Sequence, residues 1–513
     1  MRRFVPILFQ SFVLLVAAPA AAADYYVATT GSDGNSGSSS EPFATIQAAA
    51  DIVNPGDTVH VATGTYAGFG VDRSGSSSQP ITFVADGDVL IDSAGSAQIG
   101  NTDDNIRLWQ ADYVIIDGFR VTDAARAGIS VRGDSSTPIV GAEVRNCTSF
   151  DNDRWAIFTA FAEDIVIESN SCSGSAVEHG IYHSNSGDNP IIRGNTIFAN
   201  NANGIHMNGD ASMGGDGMIS NALVENNVIY GNGVNGGSGI NCDGVSDSVI
   251  RNNLLYDNHA SGISLYRIDG AAGSTGNLVV NNTVLMADDA RWALNINTGS
   301  TGNVAFNNIL YRDDSFRGSI TIDASSLTGF QSDYNVVVDR LSDDGDSTNM
   351  SLTEWQALGY GANSIIATPS ELFEAVASDD YHLVAGAPAV DVGAASFGGE
   401  SAPGADLEGV ARPQQTGHDI GCFELCPTTG CEGGDPDAGT GGTGTGGSGT
   451  GGTAGAGGTA GSGGTVAGSP GADPDDDGGC GCRTAGGSAG AGLLATLLLL
   501  GGGLARRRRS RSS

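Results

Sequence analysis

The sequence contains no lysine: all 23 of its basic residues are arginines, against 58 aspartates and glutamates. The absence of lysine excludes any mechanism in which a lysine amine acts as base or nucleophile. A formal net charge of −35 also provides no basic face that could neutralise the phosphates of a nucleic acid. We therefore expect no nucleic-acid partner, and we interpret the acidity as the solvated surface of a secreted protein.

Cysteines are few, eight in 513 residues, and their spacings match no zinc-binding pattern. Three of them fall in predicted strands, where a small buried thiol is expected. In a secreted protein Cys426 and Cys431 could close a small disulfide loop, although the sequence leaves the pairing with the nearby Cys422 open.

Long apolar runs stand near the two ends of the sequence. The first, FVPILFQSFVLLVA, follows Arg2 and Arg3 and precedes the small residues APAAAA. This order is typical of a secretory signal peptide, and it predicts cleavage after residues 1–23. The second run, LLATLLLL, is at the short end for a helix that spans a membrane, and arginines follow it.

One pattern recurs between Gly128 and Asp313, and each pass takes roughly two dozen residues. A pass opens with Gly or Ala, an aliphatic residue and an alternating strand, as in GIYHS at Gly180 and GIHMN at Gly204. It then ends in a second apolar strand that runs into asparagine. A repeat of this length buries its apolar face only by stacking on its neighbours. The pattern predicts an all-β fold, a right-handed parallel β-helix.

Asparagines stand at equivalent places in successive passes: Asn195, Asn227, Asn253, Asn282 and Asn308. Identical residues in register can hydrogen-bond along the axis of the coil as a ladder. Asparagine also tolerates the left-handed backbone of a tight bend. We interpret this ladder as structural and not as a binding site.

A short amphipathic helix is predicted before the coil. In PFATIQAAADIV, the residues Ile46, Ala49, Ala50 and Val53 follow the i, i+3, i+4, i+7 spacing of a helix. Such a helix can plug the N-terminal end of the coil, whose first strand would otherwise expose unpaired backbone groups.

The series GSDGNSG, PFATIQAA and PGDTVHVATGTY, from about Tyr25 to Tyr66, resembles the N-terminal part of secreted right-handed parallel β-helix proteins of the pectate-lyase-like superfamily. The resemblance implies the fold and an extracellular polysaccharide as partner, while an activity has to be argued from the site. Several calcium-dependent lyases of this kind are known for a lysine base, which this chain lacks. An arginine or a histidine base is then the alternative.

Composition divides the chain into successive segments. Residues 24–80 form an N-terminal cap and first coil, and residues 81–345 form the parallel β-helix. Residues 346–425 form a C-terminal cap segment, which includes a short predicted helix at SLTEWQALGY. Residues 426–479 are a Gly/Thr/Ser-rich linker that cannot bury enough apolar surface to fold, so we expect a disordered tether.

Two stretches beyond the coil resemble elements of surface proteins. YHLVAGAPAVDVGAAS, DLEGVARP and HDIGCFEL together resemble a C-terminal segment of surface-anchored β-helix proteins, and residues 480–513, with a hydrophobic segment before an arginine cluster, resemble the myxobacterial C-terminal sorting signal. This resemblance implies cleavage near the cysteines and a protein left at the cell surface, on the outer membrane. Separately, we expect the protein to be a monomer. The alternative is a plain membrane anchor with its arginines on the cytoplasmic side.

The stretch from His179 to Met218 is the richest in groups that can do chemistry. If the aliphatic residue of each pass points inward, the next residue points outward, and adjacent passes lie about 4.8 Å apart. The first outward row is then Ser130, Phe158, Tyr182, His206, Asn241 and Ser264. The second is Arg132, Ala160, Ser184, Asn208, Asp243 and Tyr266. His183 falls in an inward column with Met207, and we expect it to be buried.

A tyrosine, a histidine and amides on one solvent-facing wall suit the β-elimination of a polyuronate. That reaction needs a base for the proton next to the carboxylate, an acid for the leaving oxygen, and donors for the enolate charge. We assign His206 as the base and Tyr182 as the acid. The charge stabilisers are Asn208 with Arg193 or Arg267.

Three aspartates in the same region, Asp210, Asp216 and Asp243, could supply oxygen ligands to Ca²⁺. Such an ion would bridge a carboxylate substrate to an acidic protein that otherwise repels it. Calcium is therefore the one cofactor that we expect.

Two functions of different class compete for this wall. The first is a surface enzyme, lyase-like or epimerase-like, that acts on polysaccharide. The second is a non-catalytic adhesin or glycan binder with an aromatic platform for sugar stacking, and purely structural display is a third possibility. The substrate-binding residues expected for the wall are Phe158, Asn241, Tyr266 and Arg267.

Overall fold

The computed structural model describes residues 22–95, 103–426 and 431. Nearly all of the predicted signal peptide, most of the linker and all of the predicted sorting signal lie outside these residues. Among the helices of the described residues, none combines the length and the apolar character that a membrane span requires.

The elements are short strands with three small helices. The helices are α1 (Ile46–Ala50), α2 (Leu352–Ala357) and α3 (Pro369–Leu372), with a 3-10 turn at Val376–Ser378. The strands are β1 (Asp24–Val27), β2 (Thr58–Tyr66), β3 (Phe69–Val71), β4 (Ile81–Ile91), β5 (Ile106–Trp109), β6 (Val114–Asp117), β7 (Arg120–Thr122), β8 (Ala127–Arg132), β9 (Ile139–Val140), β10 (Glu143–Arg145), β11 (Thr148–Phe150), β12 (Trp155–Ala160), β13 (Ala162–Glu163), β14 (Val166–Glu168), β15 (Ser171–Ser173), β16 (Ile181–Ser184), β17 (Ile191–Arg193), β18 (Thr196–Phe198), β19 (Ile205–Asn208), β20 (Ile219–Ser220), β21 (Leu223–Glu225), β22 (Val228–Tyr230), β23 (Ser238–Asp243), β24 (Val245–Ser246), β25 (Val249–Arg251), β26 (Leu254–Asn258), β27 (Ser261–Tyr266), β28 (Leu278–Val280), β29 (Thr283–Met286), β30 (Leu294–Ile296), β31 (Val304–Phe306), β32 (Ile309–Tyr311), β33 (Ile320–Ile322), β34 (Gln331–Asp333), β35 (Val336–Val337), β36 (Leu341–Ser342), β37 (Ile365–Ile366), β38 (Phe373–Ala375), β39 (Asp380–Leu383), β40 (Ser396–Phe397) and β41 (Glu400–Ser401).

These strands build three walls of a coil. The first wall is the sheet β3–β5–β8–β12–β16–β19–β23–β27–β30–β33–β36. The other two walls both continue from the long strand β4. The second wall is β6–β10–β14–β17–β21–β25–β28–β31–β34, and the third wall is β7–β11–β15–β18–β22–β26–β29–β32–β35–β37. Every pairing within the walls is parallel, which confirms the right-handed parallel β-helix.

Stacked aliphatic side chains fill the inside of the coil. Ile157, Ile181, Ile205 and Ile240 are register partners in the first wall, and all four are fully buried. Each buried aliphatic side chain contributes about 1.5–3 kcal/mol relative to an exposed one, and it does so only when the next pass covers it. The prediction that these residues point inward is confirmed.

The asparagine ladder is confirmed, and it is longer than the sequence suggested. The side-chain amide of each ladder residue donates to Oδ1 of the next, as from Asn195 to Asn227 at 3.0 Å. The ladder runs on from Asn308 to Asn335. The ladder asparagines themselves do not adopt the left-handed backbone conformation. The residue that precedes each of them does, as Asn226 shows with a φ of 55°.

Both ends of the coil are closed by apolar side chains. The four apolar residues of the predicted N-terminal helix are buried, and Thr45 caps α1 by accepting the backbone N–H of Ala48. At the other end, the predicted helix α2 places Trp355 in the core against Phe330. Neither end therefore exposes the interior of the coil.

The chain after α2 runs along the third wall. Tyr381, Leu383 and Ile420 pack against the outward side chains of Leu254 and Ile309. This segment also contains a fully buried ion pair, with Arg412 Nη1 2.9 Å from Glu424 Oε2. Burial raises the pKa of Glu424 to about 7, against the opposite effect of the arginine. Cys426 and Cys431 form a disulfide, which is one of the pairings that the sequence left open.

Candidate functional site

The predicted first outward row exists in the first wall. Phe158, Tyr182, His206 and Asn241 are successive register partners. The rings of Tyr182 and His206 stack with a centroid distance of 5.0 Å and an interplanar angle of 19°. Residues that are distant in sequence thus line one wall, as the repeat spacing predicts.

The prediction that this row faces solvent is wrong. His206 is 1% exposed, Tyr182 is 6% exposed and Phe158 is 2% exposed. Asn208 and Asp243 in the second row are buried as well. The cause is a pair of loops, residues 209–218 and 267–273, which fold over the row and which we call the cover loops.

The cover loops bond to each other and to the row beneath them. Ala211 N donates to Asp269 O, and Ala271 N donates to Gly217 O, both at 2.9 Å. Met213 packs on the cluster that contains Phe158 and Tyr182. The cover is therefore a defined structure that closes the centre of the first wall.

Asp243 anchors the second cover loop. Its carboxylate accepts the backbone N–H groups of Ile268, Asp269 and Gly270 at 2.9–3.0 Å. Burial raises the pKa of Asp243, and these three hydrogen bonds act in the opposite direction. Gly270 is needed here because a Cβ at this position would lie 2.6 Å from the Cα of Gly244.

The three aspartates proposed as calcium ligands do not fit one metal site. Both oxygens of Asp243 hold the cover loop, Asp210 Oδ1 accepts from Ser212, and Asp216 accepts from Met218 N. Within residues 22–95, 103–426 and 431, no three His, Cys, Asp or Glu side chains form a group that could hold a metal ion. We derive no step through calcium, and a calcium requirement stays a prediction.

A chain of hydrogen bonds sets the protonation of His206. His179 Nδ1 accepts the backbone N–H of Asn203 at 3.2 Å, so the proton of neutral His179 is on Nε2. That Nε2 lies 3.1 Å from His206 Nδ1, which must then be the acceptor. The proton of His206 is therefore on Nε2, which makes this atom a donor.

Both histidines are neutral at neutral pH. Burial lowers the pKa of His206 to about 3. Burial, helped by the nearby His206, lowers the pKa of His179 well below its ordinary value. The base role that the sequence suggested for His206 does not agree with this tautomer, in which Nε2 carries the proton.

Several buried polar atoms of the two outward rows, Ser130 Oγ among them, have no hydrogen-bond partner among the described residues. Two of these atoms lie on one strand, His206 Nε2 and Asn208 Oδ1. Both residues belong to β19, two positions apart on the same face, so their side chains lie about 6–7 Å apart at the backbone. The amide Nδ2 of Asn208 donates to the hydroxyl of Tyr182 at 3.2 Å. An unpaired donor and an unpaired acceptor thus lie on neighbouring side chains of one strand face.

An aromatic and cationic cluster continues the row toward the N-terminus, and sequence reasoning missed most of it. Trp155 stacks on Phe158 at 4.4 Å. The guanidinium groups of Arg126 and Arg132 lie over the Phe158 ring at 5.6 and 5.5 Å. Arg132 also lies over Trp109. The signal was present, because Arg132 stands in the second outward row and Trp109 stands one pass before it.

The remaining predicted residues divide into those near the row and those away from it. Arg193 lies on the second wall, where its guanidinium binds Glu168 at 2.7 Å, so the prediction that it serves the row is wrong. Tyr266 accepts a hydrogen bond from Asn241 at 2.7 Å and is half-buried. Arg267 is exposed at the start of the second cover loop. A sugar-stacking platform of Phe158, Tyr182 and Tyr266 is not exposed in this structure.

His183 is buried, as expected from its inward column. Its Nδ1 lies 2.7 Å from the hydroxyl of Thr159, and its Nε2 lies 2.8 Å from the carbonyl of Gly187. Burial lowers the pKa of His183 to about 4. It is a structural histidine with both nitrogens occupied.

Comparisons with known proteins agree with the architecture. The family model described as "Protein of unknown function (DUF1565)" matches residues 29–247. No curated protein matches the sequence. Among solved structures, the chain is similar to the pectate lyase Pel9A, with 17% identity and a TM-score of 0.54 over 79% of this chain and 96% of that one.

Two further solved structures are similar over shorter parts. A rhamnogalacturonan lyase has 15% identity and a TM-score of 0.42, over 57% of this chain and 83% of that one. An alginate lyase from Paenibacillus sp. str. FPU-7 has 20% identity and a TM-score of 0.36, over 51% and 90%. At such identities the likeness to the pectate lyase shows the fold alone: the chain is a right-handed parallel β-helix.

Proposed function

We propose that this protein binds an extracellular polysaccharide at the row formed by Tyr182, His206 and Asn208, and acts on it there. The observation that carries the proposal is the pair of unpartnered buried atoms, His206 Nε2 and Asn208 Oδ1. Native proteins pair nearly all buried polar groups, and each unpaired one costs about 1–3 kcal/mol. His206 and Asn208 lie two positions apart on one face of β19, so one ligand can meet both atoms.

The two atoms match the chemistry of a sugar. The N–H of His206 needs an acceptor, and the carbonyl oxygen of Asn208 needs a donor. A sugar hydroxyl is both at once, and a glycosidic or ring oxygen is an acceptor. The Tyr182 hydroxyl lies 3.2 Å from the amide nitrogen of Asn208, and the Tyr182 ring stacks on that of His206.

The finer proposal is β-elimination on an acidic glycan. Because His206 is neutral and carries its proton on Nε2, it donates a hydrogen bond to the leaving glycosidic oxygen. Tyr182 reacts as its phenolate, which the hydrogen bond from Asn208 stabilises: its oxygen takes the proton next to the sugar carboxylate and delivers this proton to the leaving oxygen. The electron pair of that C–H bond forms the double bond as the C–O bond breaks.

Arginines support an anionic substrate in spite of the net charge of −35. Arg126 and Arg132 surround Phe158, and Arg107 and Arg132 lie over Trp109, all on the first wall. They stand three to four passes from His206, which is about 14–19 Å, or a few sugar units. Arg107 is buried and Arg126 is paired with Asp104, so the half-buried Arg132 is the charge that an acidic chain along the wall would meet first.

A second candidate is supported by the cover loops. They bury the row, so a polymer cannot reach His206 unless the loops move. A non-catalytic glycan binder, in which the closed row is a structural core and the sugar contacts the half-buried Tyr266 and the exposed Arg267, agrees with this burial.

One screen separates the two candidates. The full chain is incubated with polygalacturonate, alginate and a set of neutral glycans, and unsaturated ends are followed by ultraviolet absorbance. We expect product from an acidic glycan and a loss of at least 100-fold in His206→Ala. His259→Ala is the matched control, because His259 is a half-exposed histidine paired with Asp289. Retention without product supports the binder, and neither retention nor product contradicts both.

A further inference from the structure

A second site stands on the third wall, in a column of outward side chains. The column contains, one per pass, Phe150, Ser173, Phe198, Tyr230 and Tyr256. Phe198 and Tyr230 stack at 4.9 Å with an interplanar angle of 2°, and Tyr230 and Tyr256 stack at 4.8 Å with an angle of 7°. Stacked rings therefore follow the pitch of the coil, and one position is without a ring.

That position is Ser173, between two phenylalanines. Phe150 and Phe198 stand two passes apart, which is about 9–10 Å. This distance equals two of the ring-to-ring spacings seen in the same column. A six-membered ring placed above Ser173 would contact both phenylalanines as the other rings of the column contact each other.

No aromatic ring of the described residues stacks on the faces of Phe150 and Phe198 that border the gap. Phe198 has its other face on Tyr230. Phe150 has Arg120 over its ring at 5.6 Å, and Arg120 belongs to the preceding pass, on the side away from Ser173. At the far end of the column, Tyr256 is covered by Tyr381 of the C-terminal segment.

Hydroxyl groups form the floor of the gap. Thr148, Ser171 and Thr196 are register partners in the neighbouring outward column, and all three are half-buried, as Ser173 is. These hydroxyl groups can donate hydrogen bonds to a polyol and accept hydrogen bonds from it, and they are uncharged. Asp151 follows Phe150 at the bend, and it disfavours an anionic ligand.

We infer that Phe150, Ser173 and Phe198 form a binding slot for one pyranose ring of a neutral glycan. The apolar faces of the sugar lie on the two aromatic rings, and its hydroxyls bond the threonine and serine side chains. The slot is on the third wall, and it does not depend on the row beneath the cover loops. It would hold a polysaccharide along the side of the coil.

The test is a titration of the full chain with hexaoses of glucose, galactose, mannose and xylose, followed by saturation-transfer NMR. We expect at least one of these to bind, and affinity to fall at least tenfold in Phe198→Ala. Ser173→Phe completes the aromatic column, and it should abolish binding while the variant stays folded. Phe316→Ala removes an exposed phenylalanine outside the slot and should leave affinity unchanged.

Two results would overturn the inference: no neutral hexaose binds at millimolar concentration, or Ser173→Phe binds as well as the unmodified protein. Circular dichroism melting shows whether each variant is folded. His206→Ala should bind the same hexaose normally, so failure of the slot and failure of the proposed reaction are distinguishable.

Discussion

Burial fixes the charge of the inward and covered histidines, and this makes stability depend on pH. His183 has a folded pKa of about 4, below the value of about 6.5 that histidine has in an unfolded chain. Below pH 6.5 the unfolded state therefore takes up a proton that the folded state cannot. Stability is complete above pH 6.5 and is lost as the pH falls toward 4.

We predict that urea unfolding between pH 7 and pH 4 has a smaller pH slope in His183→Gln than in the unmodified protein. The difference should reach about 2–3 kcal/mol at pH 4. His382→Gln is the control, because His382 is exposed and contacts Asp380 and Glu408. Equal slopes for the unmodified protein and His183→Gln would contradict the account.

The asparagine ladder predicts a large effect from a small change. Asn227 Oδ1 accepts from both the backbone and the side chain of Asn195, and its amide donates to Asn253 and to Ile192 O. Asn227→Ala leaves these buried groups unpaired, so we expect a loss of about 2–4 kcal/mol in the free energy of unfolding. Asn201→Ala removes one exposed hydrogen bond and should change the free energy of unfolding by less than about 1 kcal/mol. Similar losses in the two variants would show that the ladder is not structural.

At the scale of elements, the second cover loop depends on its contact with the bend at Gly244. Gly270→Ala introduces a Cβ 2.6 Å from the Cα of Gly244 and must displace the loop. We predict faster hydrogen exchange at the amides of residues 268–270, which Asp243 now protects. Gly34→Ala is the control, since a Cβ there meets no atom closer than 3.8 Å. Unchanged exchange in Gly270→Ala would mean that the loop is not held by this contact.

The register of the strands in the coil can be predicted from the sequence, whereas the path of the cover loops cannot. The periods of two and of about two dozen residues place Tyr182, His206 and Asn241 in one row because neighbouring passes repeat locally. The cover loops interrupt the repeat, and their path is set by contacts that no period encodes, such as Met213 on the aromatic cluster. The predicted exposure of the row was wrong for this reason. Arg193 is away from the row for another reason: it belongs to β17, which is part of the second wall.

For the whole molecule, the sequence predicts attachment at the cell surface through residues 480–513. A chain that ends after Leu425 should therefore be found in the medium, while the full chain should stay with the cells. Fractionation and immunoblotting of the native host measure this. Release of both chains in equal amounts would contradict the prediction that residues 480–513 are a sorting signal. It would not bear on the fold of the coil.

The coil carries both of the glycan surfaces that we propose. The first wall carries the row beneath the cover loops, and the third wall carries the Ser173 slot next to the part that the C-terminal segment covers. Stacking on neighbouring passes gives both surfaces fixed spacings of about 4.8 Å per pass. A polymer that runs parallel to the axis can therefore contact several passes at once.

In the proposed reaction His206 Nε2 carries a proton and donates a hydrogen bond to a sugar oxygen. NMR of the full chain with nitrogen-15 histidine measures this atom directly at pH 7. We predict a neutral ring with the proton on Nε2, and a shift of that resonance when a retained glycan is added, while His183 does not shift. A proton on Nδ1, or an Nε2 resonance that stays fixed with every retained glycan, would contradict the account.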